Sequence, residues 1–229
     1  QRMSRGLGDV YKRQVLENLF CTNSICVPSR ASILTGQYSH VNGVYNLPDA
    51  LDPDSLNVSK ILQKNGYQTS LIGKWHLKKE PSGFDYYKVL PGQGLYNDPY
   101  FKTKENWKDG YQGGIREKGF SSDIIGDSSI EWLKKIDRNK PFFMMTHFKA
   151  THEPFDYPER HESLNENIVF PEPTSLYEFD SKESGRNHLG QIVENLTERW
   201  QNDLKNEIRR YPGNAIDTRN LTRKEIRSK

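Results

Sequence analysis

The chain has 229 residues, with 33 lysines and arginines against 30 aspartates and glutamates and a formal net charge of +3. That near balance excludes a dedicated nucleic-acid surface, which carries a clustered basic excess. The hydrophobic share is 34% and the cysteines number two, Cys21 and Cys26. No apolar run approaches the ~20 residues of a membrane span, and two thiols cannot build a disulfide framework. Composition therefore predicts a soluble globular domain with a thin core, short of its full complement.

Residues 1–14, QRMSRGLGDVYKRQ, are basic and lack both the apolar stretch of a signal peptide and any periodicity. They read as a non-native or disordered leader, with residues 15–229 as the domain. After it, Pro28 suits a first helical turn, Ala31, Ile33 and Leu34 continue it, and Gly36 stops it. A second, amphipathic helix is expected over Ser55 to Leu62, ending before Gly66. Tyr67 to Gly73 reads as a short buried strand.

From Leu77 to Phe120 the pattern dissolves into Gly, Pro, Tyr and charge, which predicts a long functional loop. Ser121-Ser122-Asp123 is expected to cap a helix running to Ile136, with Ile125, Ser129, Trp132 and Ile136 on one face. Phe142 to Phe148 (FFMMTHF) is the most strand-like apolar run. Ala150 to Tyr177 is Pro-rich loop, His188 to Arg210 a polar helix, and Asn214 to Lys229 a charged tail. Alternating helix and strand predicts an α/β fold with a largely parallel sheet. Ligands of such sheets sit outside the carboxyl ends of the strands, where Lys74–Leu77 and Lys149–Pro154 both fall.

Cys26-Val27-Pro28-Ser29-Arg30 followed by Thr35-Gly36 fits C-x-P-S-R-x-x-x-x-T-G. A cysteine at a helix start lies where amide N–H groups and the helix dipole favour an anion or a nucleophile. Arg30 adds a charged fork suited to an oxyanion. Cys21 reads as an unreactive buried thiol. His40, His147, His161 and His188 read as ordinary histidines, His147 with a supporting place near the site. The N-x-[ST] sequons at Asn57, Asn195 and Asn220 arise freely by chance.

The C-x-P-S-R motif resembles that of the type I sulfatases, formylglycine-dependent enzymes of the alkaline-phosphatase-like superfamily. Gly66-Tyr67-Gln68-Thr69-Ser70-Leu71-Ile72-Gly73-Lys74-Trp75-His76 is similar to the family's G-Y-x-T-x-x-x-G-K-W-H throughout. Lys149-Ala150-Thr151-His152-Glu153-Pro154 resembles K-A-P-H-x-P more loosely, with Thr151 where Pro is common. The similarity runs from about Phe20 to Pro173.

The resemblance implies an alkaline-phosphatase-like sandwich with a mostly parallel central sheet, present as an incomplete portion. It implies that a formylglycine-generating enzyme recognises Cys26, Pro28, Ser29 and Arg30 and oxidises Cys26 to formylglycine. The hydrated aldehyde then attacks the sulfur of a sulfate ester. By motif match Arg30 steadies that group, and Ser29 orients it. Lys74 bridges it to the sulfate oxygens, His76 takes a proton as sulfate is expelled, and His152 contacts sulfate and protonates the leaving oxygen. Such chemistry needs cations and proton donors around the charge that develops.

The resemblance also implies one divalent cation, usually Ca²⁺, bound through hard oxygen ligands. Cys26, as formylglycine, is the one ligand this sequence matches; no Asp-Asp pair is present and no downstream ligand motif follows. A chain without those ligands is expected to hydrolyse nothing alone.

Pro81 to Gly94 resembles the G-F-D-Y-W-x-V-L-P-G-Q-G segment of glycan-acting sulfatases such as N-acetylglucosamine-6-sulfatases. It implies a sulfated carbohydrate substrate, with Tyr86 and Tyr87 among the aromatics suited to stacking on sugar rings. Three other readings stay open: a phosphonate monoester or phosphodiester hydrolase, a non-catalytic sulfated-glycan binding module, and a cysteine hydrolase using Cys26 directly. The family implies a secreted, periplasmic or lysosomal setting.

Overall fold

A computed structural model describes residues 20–171, except 154 and 166, together with residue 18. The expected leader over residues 1–14, the polar helix near His188 to Arg210 and the charged tail from Asn214 lie outside the described residues.

Helix α1 (Cys26–Thr35) leaves extended backbone at Ile25, and Pro28 falls in its first turn, where a missing N–H breaks no intrahelical bond. Gly36 ends it in the left-handed region at φ 68°, its N–H donating to the Ser32 carbonyl at 2.8 Å. Thr35 donates its hydroxyl to the Ala31 carbonyl at 2.7 Å. The Thr-Gly pair of the motif is thus a helix stop. Cys21, expected to be buried, is exposed among the described residues, in the coil before α1.

A short helix α2 (Ser39–Asn42) follows, then α3 (Val58–Lys64). Helix α3 begins three residues later than expected because Asn57 is the stronger cap: its side-chain oxygen accepts from the Lys60 N–H at 2.9 Å. The Asn57 amide is buried and also reaches the Ser82 carbonyl, so the bland reading of that sequon holds.

Strand β1 (Gln68–Lys74) runs parallel to β2 (Tyr86–Leu90) on one side and to β5 (Phe142–His147) on the other. The region from Leu77 to Phe120 is therefore not one loop. It contains β2 and a small antiparallel pair, β3 (Tyr100–Phe101) with β4 (Ile115–Arg116). Asp85 explains the start of β2: its carboxylate accepts from the Thr69 N–H and hydroxyl at 2.8 and 3.1 Å and from Gln63 at 2.6 Å. This hook sets the register in which Ser70 faces Tyr86 and Lys74 faces Leu90.

Helix α4 (Ser121–Lys135) starts where expected, but Ser121, Ser122 and Asp123 do not cap it. Phe120 holds the capping position, the Ser121 hydroxyl is buried without a partner among the described residues, and Asp123 instead pairs bidentately with Arg160 at 2.7 Å.

The sheet is covered on both faces, and strand alternation decides which residue meets which helix. Leu71, Tyr87 and Val89 join Val27, Ala31 and Leu34 of α1 on one face, whereas Ile72, Leu90 and Phe101 join Ile125 of α4 on the other. Phe142, in the most strand-like run of the sequence, is 47% exposed, because only β1 flanks β5 among the described strands. No described helix is long and apolar enough to cross a membrane.

Candidate active site

Lys74 is the last residue of β1 and His147 the last of β5, and Pro91 to Gly94 turn immediately after β2. The carboxyl ends of all three parallel strands thus deliver polar side chains to one place, and α1 brings Cys26 and Arg30 to it. Arg30 donates from Nη1 to the Lys74 carbonyl at 2.7 Å, and the same nitrogen lies 3.1 Å from Nδ1 of His147. Nδ1 is also 3.1 Å from the Lys74 carbonyl. A guanidinium only donates, so the bare nitrogen of a neutral His147 accepts from Arg30, and the other tautomer donates to the carbonyl. Burial and then Arg30 hold the His147 pKa below its ordinary value, which keeps that ring neutral.

Gly73 makes this junction possible. A Cβ there would lie 1.9 Å from the His147 carbonyl oxygen, and the residue sits at φ 102°. Only glycine lets β1 and β5 close at the point where Lys74 and His147 emerge.

Lys74 is 2% exposed, and its ammonium donates to the Gln93 side-chain oxygen at 2.5 Å. Burial, then Arg30, with a smaller contribution from Lys149, pull its pKa from 10.5 down to about 8, although Cys26 acts the other way. His76, two residues on, adopts the left-handed region at φ 61°, a conformation that strains a residue with a Cβ. Its Nδ1 is buried without a hydrogen-bond partner among the described residues. Burial first, and then Lys74, Arg30, Lys78 and His152, lower its pKa to about 3. The ring is neutral at pH 7 and chemically a proton acceptor. Between these two, Trp75 is structural: its indole donates to the Lys79 carbonyl at 2.7 Å and meets Phe84 edge to face.

His152 approaches from the loop after β5. Its Nδ1 donates to the Glu153 carbonyl at 3.0 Å, and its own carbonyl accepts from the Tyr96 hydroxyl at 2.6 Å. It lies close enough to His76 to influence it electrostatically, after Lys74, Arg30 and Lys78. Lys149 is buried, with its ammonium 4.6 Å above the Tyr96 ring and 3.1 Å from the Glu153 carbonyl.

A cavity of about 330 Å³ opens between α1 and the sheet, lined by Cys26, Ser29, Arg30 and His147 at its polar end and by Leu34, Trp75 and Met145 behind. Cys26, Ser29 and Arg30 line this cavity, and Lys74 and His152 lie within electrostatic reach of His76 beside it. Tyr86 and Tyr87 do not. Tyr87 is 1% exposed, with its hydroxyl on Glu80 at 2.6 Å, and offers no face to a sugar. Tyr86 packs on the opposite face of the sheet, against the Ile72 and Leu90 cluster.

Two residues at the site were missed by sequence reading, Gln93 and Tyr111. Tyr111 accepts the Gly92 N–H at 2.5 Å, and its charge interactions reach Arg30 and Cys26. Burial raises its pKa to about 12. Gln93 lies in the segment that resembles glycan-acting sulfatases, which is its only sequence signal.

The described residues do not fit a calcium site. No group of three or more His, Cys, Asp or Glu side chains converges among them, and the groups facing Cys26 are Arg30, Lys74 and Tyr111. Such surroundings suit an anion, whereas calcium takes six to eight oxygens.

The Sulfatase family profile matches residues 9–196. The N-acetylglucosamine-6-O-sulfatase of Bacteroides thetaiotaomicron is 42% identical over 194 residues, covering 82% of this chain and 33% of that protein. The human N-acetylglucosamine-6-sulfatase is 27% identical over 172 residues, covering 66% of this chain and 31% of that one. The solved structure of BT4656 in complex with its substrate D-glucosamine-2-N,6-O-disulfate superposes with a TM-score of 0.74 at 37% identity, over 93% of this chain and 39% of that chain. The chain spans about a third of the length of the curated relatives it matches. Its parallel sheet between helices is part of the alkaline-phosphatase-like fold. On the profile match, the identity and the shared fold, the chain belongs to the sulfatase family.

Proposed function

We propose that this chain carries the nucleophile side of a sulfuric-ester hydrolase acting on a sulfated carbohydrate. The observation that carries the reading is the 2.7 Å bond from Arg30 to the Lys74 carbonyl, which joins the C-x-P-S-R and G-K-W-H motifs into one cationic site beside Cys26. The substrate class we propose is a 6-O-sulfated glucosamine unit. Its support is the 42% identity to an N-acetylglucosamine-6-O-sulfatase and the likeness to BT4656 with its disulfated glucosamine.

Cys26, at the first turn of α1 and on the cavity wall, fits the precursor of formylglycine. Once converted by a formylglycine-generating enzyme, that residue supplies a hydrated aldehyde oxygen as nucleophile. Arg30 and Lys74 hold the sulfate oxygens by charge-assisted hydrogen bonds. Burial first, and then the surrounding cations, keep His76 neutral and ready to accept a proton, and a sulfate held by Arg30 and Lys74 offsets the cationic part of that depression. His152, its orientation set by the Nδ1 bond to Glu153, gives a proton to the leaving oxygen from Nε2. A secreted, periplasmic or lysosomal setting belongs to the same proposal.

The test is co-expression with a formylglycine-generating enzyme, followed by mass spectrometry of the peptide containing Cys26. Conversion of the thiol to an aldehyde supports the reading, and Arg30→Ala is expected to abolish it. A Cys26 that stays a fully alkylatable thiol sinks it. In the complete enzyme, phenyl phosphonate turned over faster than a sulfate ester would redirect it to phosphonate chemistry.

A further inference from the structure

We infer that Gln93 is a positioning residue for Lys74, held in place by Tyr111. What Lys74 does with its charge rests on the sulfatase reading above; how it is held does not.

Beyond Leu90, which faces Lys74 in the sheet, the chain folds back at Pro91 to Gly94 with the Gly94 N–H on the Pro91 carbonyl at 3.1 Å. Gly92 and Gly94 stand at φ 58° and 68°, and a Cβ on Gly94 would come within 2.8 Å of Leu90. Both glycines hold left-handed conformations that a residue with a Cβ adopts only under strain, and the turn they form brings the Gln93 side chain to the end of β1. Its oxygen accepts from Nζ of Lys74 at 2.5 Å. On the next residue back, the Gly92 N–H donates to the Tyr111 hydroxyl at 2.5 Å. Tyr111 packs on Trp107, and Trp107 meets the buried Tyr87 edge to face. A path of contacts therefore runs from the core through Tyr111 and Gly92 to Gln93.

The chemistry of the acceptor matters as much as its place. The charged or titratable groups that face Lys74 are Arg30, Cys26 and Lys149, and His76 lies within its field. A carboxylate at position 93 would fix the ammonium equally well but cancel its charge. A neutral amide oxygen satisfies the buried donor and leaves a net positive charge for an incoming anion. Gln93 touches no reacting atom in this scheme and acts through Lys74.

The test uses the full 229-residue chain with isotope-labelled lysine and nuclear magnetic resonance. The Lys74 signals are those absent from Lys74→Met. In the unmodified chain the two hydrogens on Cε are expected to be resolved, as for a side chain held in one orientation. Gln93→Leu is expected to merge them, and Gln93→Glu, which keeps an acceptor oxygen, to preserve them. Inorganic sulfate is expected to shift the Lys74 signals, with affinity at least about tenfold weaker in Gln93→Glu, the scale of one hydrogen bond to a charged group.

Resolved Lys74 hydrogens in a folded Gln93→Leu would overturn the positioning role. Sulfate that binds Gln93→Glu as well as the unmodified chain would overturn the argument from charge. Should Gln93→Leu fail to fold, Tyr111→Phe, which removes only the hydroxyl on Gly92, is expected to narrow the separation, and an unchanged separation counts against the path. A Cys26 that is never converted would defeat the sulfatase reading and leave the Lys74 separation as it is, so the two failures are distinguishable.

Discussion

Nη1 of Arg30 lies 2.7 Å from the carbonyl oxygen of Lys74, so a helix that presents Cys26 is bolted to the end of the central strand. The bond fixes the separation between the cysteine and the lysine without using either of their side chains.

Removing that bolt should be costly. Arg30→Ala leaves the Lys74 carbonyl and His147 without their donor and is expected to destabilise the chain by about 2 kcal/mol. Arg30→Lys restores a charge but not the planar fork. Denaturant melting should show both variants less stable, with lysine recovering less than half of the loss.

Gly73→Ala is expected to be the more severe change. The added methyl would overlap the His147 carbonyl, and the φ of 102° is poorly open to alanine. Separating β1 from β5 to make room costs on the order of 3 kcal/mol or more. The same melting experiment reads it, and a variant as stable as the original would refute the close approach.

The site should make stability and anion binding depend on pH in opposite ways. His76 has a pKa of about 3 in the folded chain against 6.5 as a model value, so between these values the unfolded state binds more protons. Stability therefore rises with pH across that window and falls on acidification. His76→Gln should flatten the slope. Lys74, lowered to about 8 from 10.5, behaves likewise between those values. Its charge is lost as pH climbs through about 8, and sulfate affinity should drop there. Titrating sulfate at several pH values checks the second point.

With Cys26 converted and calcium supplied, the 229-residue chain is expected to release no sulfate from a 6-O-sulfated glucosamine. Among the described residues no group of three or more His, Cys, Asp or Glu side chains converges to hold the ion. An ion-chromatographic assay of free sulfate decides it, and turnover matching a full-length relative would overturn the expectation.

Much of the site was legible because its residues come in short motifs whose spacing is itself structural. Cys26 and Arg30 are four apart on one helix, so they share a face. Lys74 and His76 follow a strand that its own apolar run announced. The region after Leu77 was not legible. Gly, Pro and charge around Tyr86 to Leu90 hid a strand whose existence depends on the Asp85 hook and on pairing with β1. The sugar-stacking role expected of Tyr87 failed for the same reason, since strand alternation turned its ring into the core.

The sequence by itself determined that this is a sulfatase-family α/β chain and singled out candidate side chains for its site, because those motifs are local and need only chain order. Tertiary structure alone decided that Arg30 meets Lys74 and His147, that Gln93 takes the lysine ammonium, and that His76 is neutral. Each of these depends on residues distant in the chain meeting where water has been excluded. Neither distance nor desolvation is written in local order.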